Sequence, residues 1–138
     1  MSLKQLSIFL ENRAGQLAEI TSLLAQQDID LRALHISETS DYGVLRLIAS
    51  EWERAEQILR SSEILVSTSD VISVSVPDRP GGLCSLLTVL AKENISVSYM
   101  YSVFGKTHSG VNMVFKVENT EKVEKILTDN GFEIDTID

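Results

Sequence analysis

The sequence predicts an α+β fold built from two ferredoxin-like βαββαβ units, each an antiparallel sheet with its helices on one face. Three observations predict it. The stretch Asn12-Arg13-Ala14-Gly15-Gln16-Leu17 recurs as Asp78-Arg79-Pro80-Gly81-Gly82-Leu83, an offset of 66 residues. Glu11 to Leu34 aligns without a gap on Pro77 to Met100, and one extra residue restores register at Gly43-Val44 and Gly110-Val111. Around each copy the apolar pattern alternates between strand and helix periods in one order: strand, helix, strand, strand, helix, strand. A repeat that keeps a turn, a helix and the following strand in register is a tandem duplication. Its halves are residues 1–69 and 70–138.

In the first half, Leu3 to Leu10 reads as a strand with Leu6, Ile8 and Leu10 on one face and Phe9 on the other. After the Asn12–Gly15 turn, Leu17, Ile20, Leu23 and Leu24 form a helical stripe that ends at Asp28. Ile29 to Glu38 and Val44 to Ala49 are strands joined by the polar turn Thr39 to Tyr42. Ser50-Glu51-Trp52-Glu53 has the form of a capping box. The helix it opens turns Trp52, Ala55, Ile58 and Leu59 inward and ends near Ser61. Ile64 to Thr68 is the fourth strand.

The second half repeats this order. Val71 to Val76 is a strand, and Leu83, Leu86, Leu87 and Leu90 give an i, i+3, i+4, i+7 stripe. Ile95 to Phe104 and Val111 to Val117 are strands around the turn Gly105 to Gly110. Val123, Ile126 and Leu127 mark the last helix, Asn130-Gly131 stops it, and Phe132 to Ile137 closes the sheet. Between the halves, Thr68-Ser69-Asp70 spans at most about 14 Å. That is too short for both second strands of one chain to meet side by side. Either the halves pair differently, or terminal strands are exchanged, or the seam forms between two chains; a homodimer is the expectation.

Bulk composition narrows the function classes. The chain has 138 residues, 43% hydrophobic and 23% charged, with a formal net charge of −8. Halves of about 69 residues are small for independent cores and are expected to lean on each other or on a second chain. The acidic balance argues against nucleic acid, whose affinity comes from Lys and Arg on phosphates, and against anionic membrane surfaces. No apolar run approaches the roughly 20 residues that span a bilayer. The N-terminus lacks the apolar core of a signal peptide, and the single cysteine, Cys84, excludes an intrachain disulfide. A cytoplasmic location is the expectation.

The duplicated corner is the candidate binding element. Backbone N–H groups at Gly15-Gln16-Leu17 and Gly81-Gly82-Leu83 open helices, where the dipole favours a carboxylate. Asn12 or Asp78 can accept from an ammonium group, and glycine permits positive φ and close approach of a ligand. The alternative reading is local: Asn12 and Asp78 cap a turn that Gly15 and Gly81 permit. Ala14 is replaced by Pro80 and Gln16 by Gly82, so the second corner reads as the more open. Arg13 and Arg79 either hold a ligand carboxylate or, as the favoured reading, are solvated or pair with a nearby acid such as Glu11 or Asp78. Tyr99, Tyr101 and Phe104 either shape a pocket or cover the sheet. Cys84, His35 and His108 lack metal-ligand spacing. No catalytic constellation, metal site or cofactor motif emerges.

With these motifs the chain resembles a pair of ACT domains, small amino-acid-sensing modules appended to biosynthetic enzymes. Its first copy, Glu11-Asn12-Arg13-Ala14-Gly15-x-Leu17 with Ile29-Asp30-Leu31 opening the second strand, is similar to the regulatory domain of phosphoglycerate dehydrogenase. The resemblance implies a ligand at a seam, where the strand 1–helix 1 loop of one domain faces the second strand of another. Its serine-sensing members use a loop Asn, a His two residues earlier and an Asn opening the second strand. Those positions are Asn12 or Asp78, Leu10 or Val76, and Asp30 or Ser96. The departures point away from serine and leave an amino-acid-like effector, with a partner enzyme as the receiver of the signal. Two other readings stay open: a structural subunit with vestigial sites, and a small ferredoxin-like enzyme.

Overall fold

In the computed structural model, residues 3–11, 13–38, 42–103 and 110–134 are described. Asn12, Phe104, His108 and the end of the expected last strand lie outside them, as do most of both expected hairpin turns. The elements run β1 (Leu3–Leu10), α1 (Gln16–Gln26), β2 (Leu31–Glu38), β3 (Gly43–Ala49), α2 (Trp52–Ser61), β4 (Val66–Pro77), α3 (Gly82–Lys92), β5 (Tyr99–Val103), β6 (Gly110–Lys116), α4 (Thr120–Asp129) and β7 (Glu133–Ile134). The chain divides into two compact units after Ser69, and Lys4 to Ser69 form one of them. The order βαββαβ repeats, with one economy: β4 closes the first unit and opens the second. The sequence reading placed a junction at Thr68-Ser69-Asp70, but these residues are extended within β4. They contain neither Gly nor Pro, so nothing there breaks the strand.

In the first unit β3 pairs antiparallel with both β1 and β2, matching Leu6 with Leu47, Ile8 with Leu45, Leu34 with Leu47 and Ile36 with Leu45. Facing partners share a side of the sheet, so Leu6, Ile8, Leu45 and Leu47 form one fully buried apolar face. Ile20 and Leu24 of α1 and Ala55 and Leu59 of α2 close over that face. In the second unit β6 pairs antiparallel with β4 and β5, and the short β7 adds to β4. Ile72, Val74, Met113 and Phe115 meet Leu86 and Leu90 of α3 and Val123 and Leu127 of α4. Both helices of each unit therefore lie on one sheet face, as patterned. The opposite faces are not bare either: Gln5, Ala33 and Ile48, and Ser73, Tyr101 and Val114, are all buried.

All four helices stop in the same way. The residue after the C-cap is left-handed in each: Asp28 (φ 59°), Glu63 (61°), Asn94 (57°) and Gly131 (85°). The next residue, Ile29, Ile64, Ile95 or Phe132, donates its N–H to the carbonyl of Leu24, Leu59, Leu90 or Leu127 at 2.9–3.0 Å. This is the Schellman pattern, in which an apolar residue beyond the helix packs back on one in its last turn. Here those last-turn leucines are core residues.

Two expectations need correction. Ser50 does not head a capping box: the N-cap of α2 is Glu51, with no side-chain cap. The Ser50 hydroxyl accepts instead from the Asp30 N–H at 3.1 Å, while the Ser50 N–H donates to the Asp30 carbonyl at 2.9 Å. A tertiary strand contact thus takes the hydroxyl that the local motif assigned to the helix. The leucine stripes are also narrower than they read. Ile20, Leu24, Leu86 and Leu90 are buried, but Leu17, Leu83 and Leu87 remain 36–40% exposed.

α2 is clamped to the first part of β4. Thr68 Oγ1 donates to Glu56 Oε2, Arg60 Nε bonds Glu56 Oε1 at 3.1 Å, and Arg60 also reaches the Val66 carbonyl at 3.2 Å. The Thr68 hydroxyl, followed by Arg60, lowers the Glu56 pKa below the usual carboxylate value against the opposing effect of desolvation. Leu24→Ala should cost about 2–5 kcal/mol in urea unfolding, and Leu17→Ala under about 1 kcal/mol, because only the first opens a core cavity. The Glu56 contribution is complete above its unfolded pKa of about 4.3 and is lost as pH falls through the lower folded value. Glu56→Gln should therefore flatten the fall in melting temperature below about pH 5.

Candidate functional site

Each corner is a tight reversal between a strand end and a helix start. Gly15 (φ 87°) and Gly81 (φ 90°) are the N-caps of α1 and α3, both left-handed, and neither helix has a side-chain cap. No side chain therefore caps the first N–H groups of either helix, although in α3 the Gly82 N–H donates to the Arg79 carbonyl at 3.0 Å. Ala14, Gly15, Leu17, Asp78, Pro80, Gly81 and Leu83 are exposed. Only Gln16 and Gly82 are drawn inward. Asn12, the proposed ammonium acceptor of the first corner, lies outside the described residues.

The two corners differ in how far they are already filled. In the first, Gln16 Oε1 accepts from the Glu11 N–H at 2.6 Å, so the side chain folds across the corner. Arg13 is held by Glu19 at 2.9 Å and by Glu11 at 3.6 Å. The Glu19 hydrogen bond and charge raise the already high pKa of this guanidinium. In the second corner the residues aligned with Glu11 and Glu19 are Pro77 and Ser85. Ser85 turns its hydroxyl to the Gly81 carbonyl at 3.0 Å. Arg79 and Asp78 make no side-chain hydrogen bond or ion pair with any described residue, so of the readings open for this arginine, pairing with Asp78 is not the one seen. A cation and an anion on adjacent exposed residues stand beside open helix N–H groups. That set is complementary to the carboxylate and ammonium of an α-amino acid.

Gly82 explains the shape of the second corner. A Cβ at this position would lie 2.1 Å from the Pro77 carbonyl oxygen, so no side chain fits where Gln16 stands in the first copy. The backbone turns back on itself there, with Arg79 N–H on the Pro77 carbonyl at 2.9 Å and Gly82 N–H on the Arg79 carbonyl at 3.0 Å.

Asp30 and Ser96 are not gathered with the corner of their own unit. Leu10 and Glu38 both pair with Gly43 at one end of β3, whereas Leu31 pairs with Ala49 at the other. The 11 residues of α1 separate the same two ends by about 16 Å. Asp30 is engaged with Ser50 and, at 3.2 Å, with Arg32. Ser96 lines a groove of about 1000 Å³ with Ser98, Lys116, Asn119, Thr120 and Lys122, beside the start of α4. Cys84 is exposed, with its Sγ 3.8 Å from Thr88 Oγ1. Among the described residues no cluster of His, Cys, Asp and Glu could hold a metal, and no helix is long and apolar enough to cross a membrane.

A duplicated βαββαβ unit with a glycine corner opening each first helix defines a tandem pair of ferredoxin-like modules, and comparison names the family. The family described as ACT domain pair matches residues 1–136, and the chain belongs to that family. Among solved structures it is similar to protein BT0572 from Bacteroides thetaiotaomicron, at 37% identity and a TM-score of 0.90, covering 97% of this chain and 92% of that one. The ligand-free regulatory subunit of aspartate kinase from Thermus thermophilus shares the fold at 11% identity and a TM-score of 0.67, covering 95% and 94%. The corresponding subunit from Thermus flavus gives 13% identity and 0.64, covering 93% and 90%. No curated protein matches the chain.

Gly82→Ala should destabilise more than Gly81→Ala in thermal unfolding. The first drives a methyl group into a backbone carbonyl, whereas the second meets open space and suffers only the left-handed φ.

Proposed function

We propose that this chain is a non-catalytic effector-binding protein that senses a free amino acid or a close analogue and passes its occupancy to a partner enzyme. One module lies in each half, 1–69 and 70–138, and the working form is a cytoplasmic homodimer. The observation that carries the reading is the second corner. It joins a helix start with no side-chain cap to an unpaired Arg79 and an unpaired Asp78, on a turn that Gly82 makes too close for any side chain.

In this reading the ligand carboxylate takes the α3 N–H groups and the Arg79 guanidinium, and the ammonium takes Asp78. The dipole and the two charges order the ligand by its two ends, whatever its side chain. Each unit holds its corner and its own second-strand opening apart, so completion of the pocket by Asp30 or Ser96 calls for a strand from a neighbouring module. Occupancy then favours one arrangement of modules, which is the only way a ligand can signal. The first corner, bridged by Gln16 and with Arg13 already neutralised, fits a structural role instead.

Thermal unfolding in the presence of each of the twenty amino acids tests this. A ligand at 100 times its dissociation constant stabilises by about 2.7 kcal/mol, a shift of several degrees. Arg79→Ala and Asp78→Ala should remove the shift, and Arg13→Ala should leave it intact. If no amino acid raises the melting temperature, the effector reading fails.

A further inference from the structure

The groove beside the start of α4 lies at a place where the two copies have diverged. α2 and α4 have 10 residues each, and they correspond at an offset of 68: N-cap Glu51 with Asn119, core Leu59 with Leu127, left-handed Glu63 with Gly131. At that offset Trp52 becomes Thr120 and Arg54 becomes Lys122. In the first unit these residues are engaged. Arg54 bonds Glu51 at 3.2 Å and Gln27 at 3.5 Å, Lys4 Nζ stands 5.8 Å from the centre of the Trp52 ring, and Ser50 is tied to Asp30. In the second unit Ser96 and Glu118 stand where Asp30 and Ser50 stand in the first, and no hydrogen bond joins them. There the groove of about 1000 Å³ opens.

Its lining holds donors that lack acceptors. The Asn119 side chain accepts from the Lys122 N–H at 3.1 Å, but among the described residues nothing accepts from the N–H groups of Thr120 and Glu121 ahead of it. Thr120 is only 9% exposed and lines the groove, yet its hydroxyl makes no hydrogen bond with any described residue. A buried hydroxyl is normally paired, so one left open toward a groove marks a position where a ligand would complete it. The Lys122 ammonium is exposed and forms no ion pair with any described residue. Lys116 Nζ donates to the Asp70 carbonyl at 3.3 Å, a neutral partner that leaves its charge uncompensated.

We infer that this groove binds a small oxyanion, the carboxylate or phosphate group of a metabolite, at the start of α4. The Thr120 and Glu121 N–H groups and the Thr120 hydroxyl donate to it, and Lys122 and Lys116 supply the opposite charge. Ser96 and Ser98 line the approach. Asp70, Glu93, Glu118 and Glu121 line it too, four carboxylates to two ammonium groups, and they repel a polyanion. The ligand therefore carries a single anionic group. The inference does not rest on the effector reading: α3, 11 residues long, holds this end of the unit about 16 Å from the Gly81 corner.

Amide NMR of the full chain, titrated with inorganic phosphate and separately with acetate at constant ionic strength, tests this. At least one anion should give saturable shifts at the Thr120 and Glu121 amides, and the tighter of the two tells a phosphate ligand from a carboxylate one. Thr120→Val keeps the shape and drops the hydroxyl; it and Lys122→Ala should each raise the dissociation constant at least about fivefold. Lys122→Arg should hold it within about threefold, because the charge stays. Glu118→Gln should lower it by removing a like charge. Absent or unsaturable shifts with both anions overturn the inference. So does binding that Thr120→Val and Lys122→Ala leave unchanged, or a response confined to the amides of Gly81 to Leu83.

Discussion

The structure depends on one contact made four times: a leucine in the last turn of a helix, buried in the core, accepts the amide of the apolar residue five positions on. Leu24 with Ile29, Leu59 with Ile64, Leu90 with Ile95 and Leu127 with Phe132 each tie helix end, chain reversal and core into one event. In units of this size no element can be placed independently, because the apolar area is barely enough for one layer of two helices on one sheet face. Stopping the helix at the right residue sets where the next strand begins. That in turn fixes the register that puts Leu45 and Leu47, or Met113 and Phe115, under the helices. The other end of the first helix in each unit, the glycine corner, is consequently held at a constant place by packing that it does not itself provide.

That division of labour lets the two corners differ. Their frames coincide, with left-handed glycines at φ 87° and 90° opening helices of 11 residues. Their chemistry does not. Glu19 and Glu11 neutralise Arg13, and Gln16 bridges the turn, so the first corner satisfies itself. Ser85, Pro77 and Gly82 remove each of those partners from the second, leaving its charges and N–H groups directed outward. Two turns with the same left-handed glycine thus carry one closed and one open arrangement, set by three side-chain differences and a tighter backbone at Gly82.

Much of this was legible in the sequence because it is local or repeated. The duplication, the element order, the left-handed corners and the helix stop at Asn130-Gly131 follow from patterns within a few residues. What was not legible turns on contacts between residues distant in sequence. Ser50 reads as a helix cap because Glu53 follows three residues later, yet Asp30, twenty residues away, takes the hydroxyl. Leu17, Leu83 and Leu87 fit the helical period, yet the sheet and neighbouring helix do not cover them. Thr68-Ser69-Asp70 looks like a linker because it is polar, although polar residues without Gly or Pro extend readily. The asymmetry of the arginines had a signal in plain view: aligning the copies sets Glu19 on Ser85 and Glu11 on Pro77. Asn12, on which the first corner's reading leaned most, lies outside the described residues.

The left-handed helix ends carry a consequence for how such a protein can change over time. Three of the four positions that geometry would give to glycine hold Asp28, Glu63 and Asn94 instead, and a side chain in that conformation costs on the order of 1 kcal/mol relative to glycine. Each is a single substitution away from relief, at a residue that belongs to neither corner. The fold therefore holds an unspent reserve against drift. A corner can acquire a destabilising residue, and a glycine at a helix end can restore what was lost. Pockets in this architecture are free to diverge because the places that compensate for them lie elsewhere in the chain.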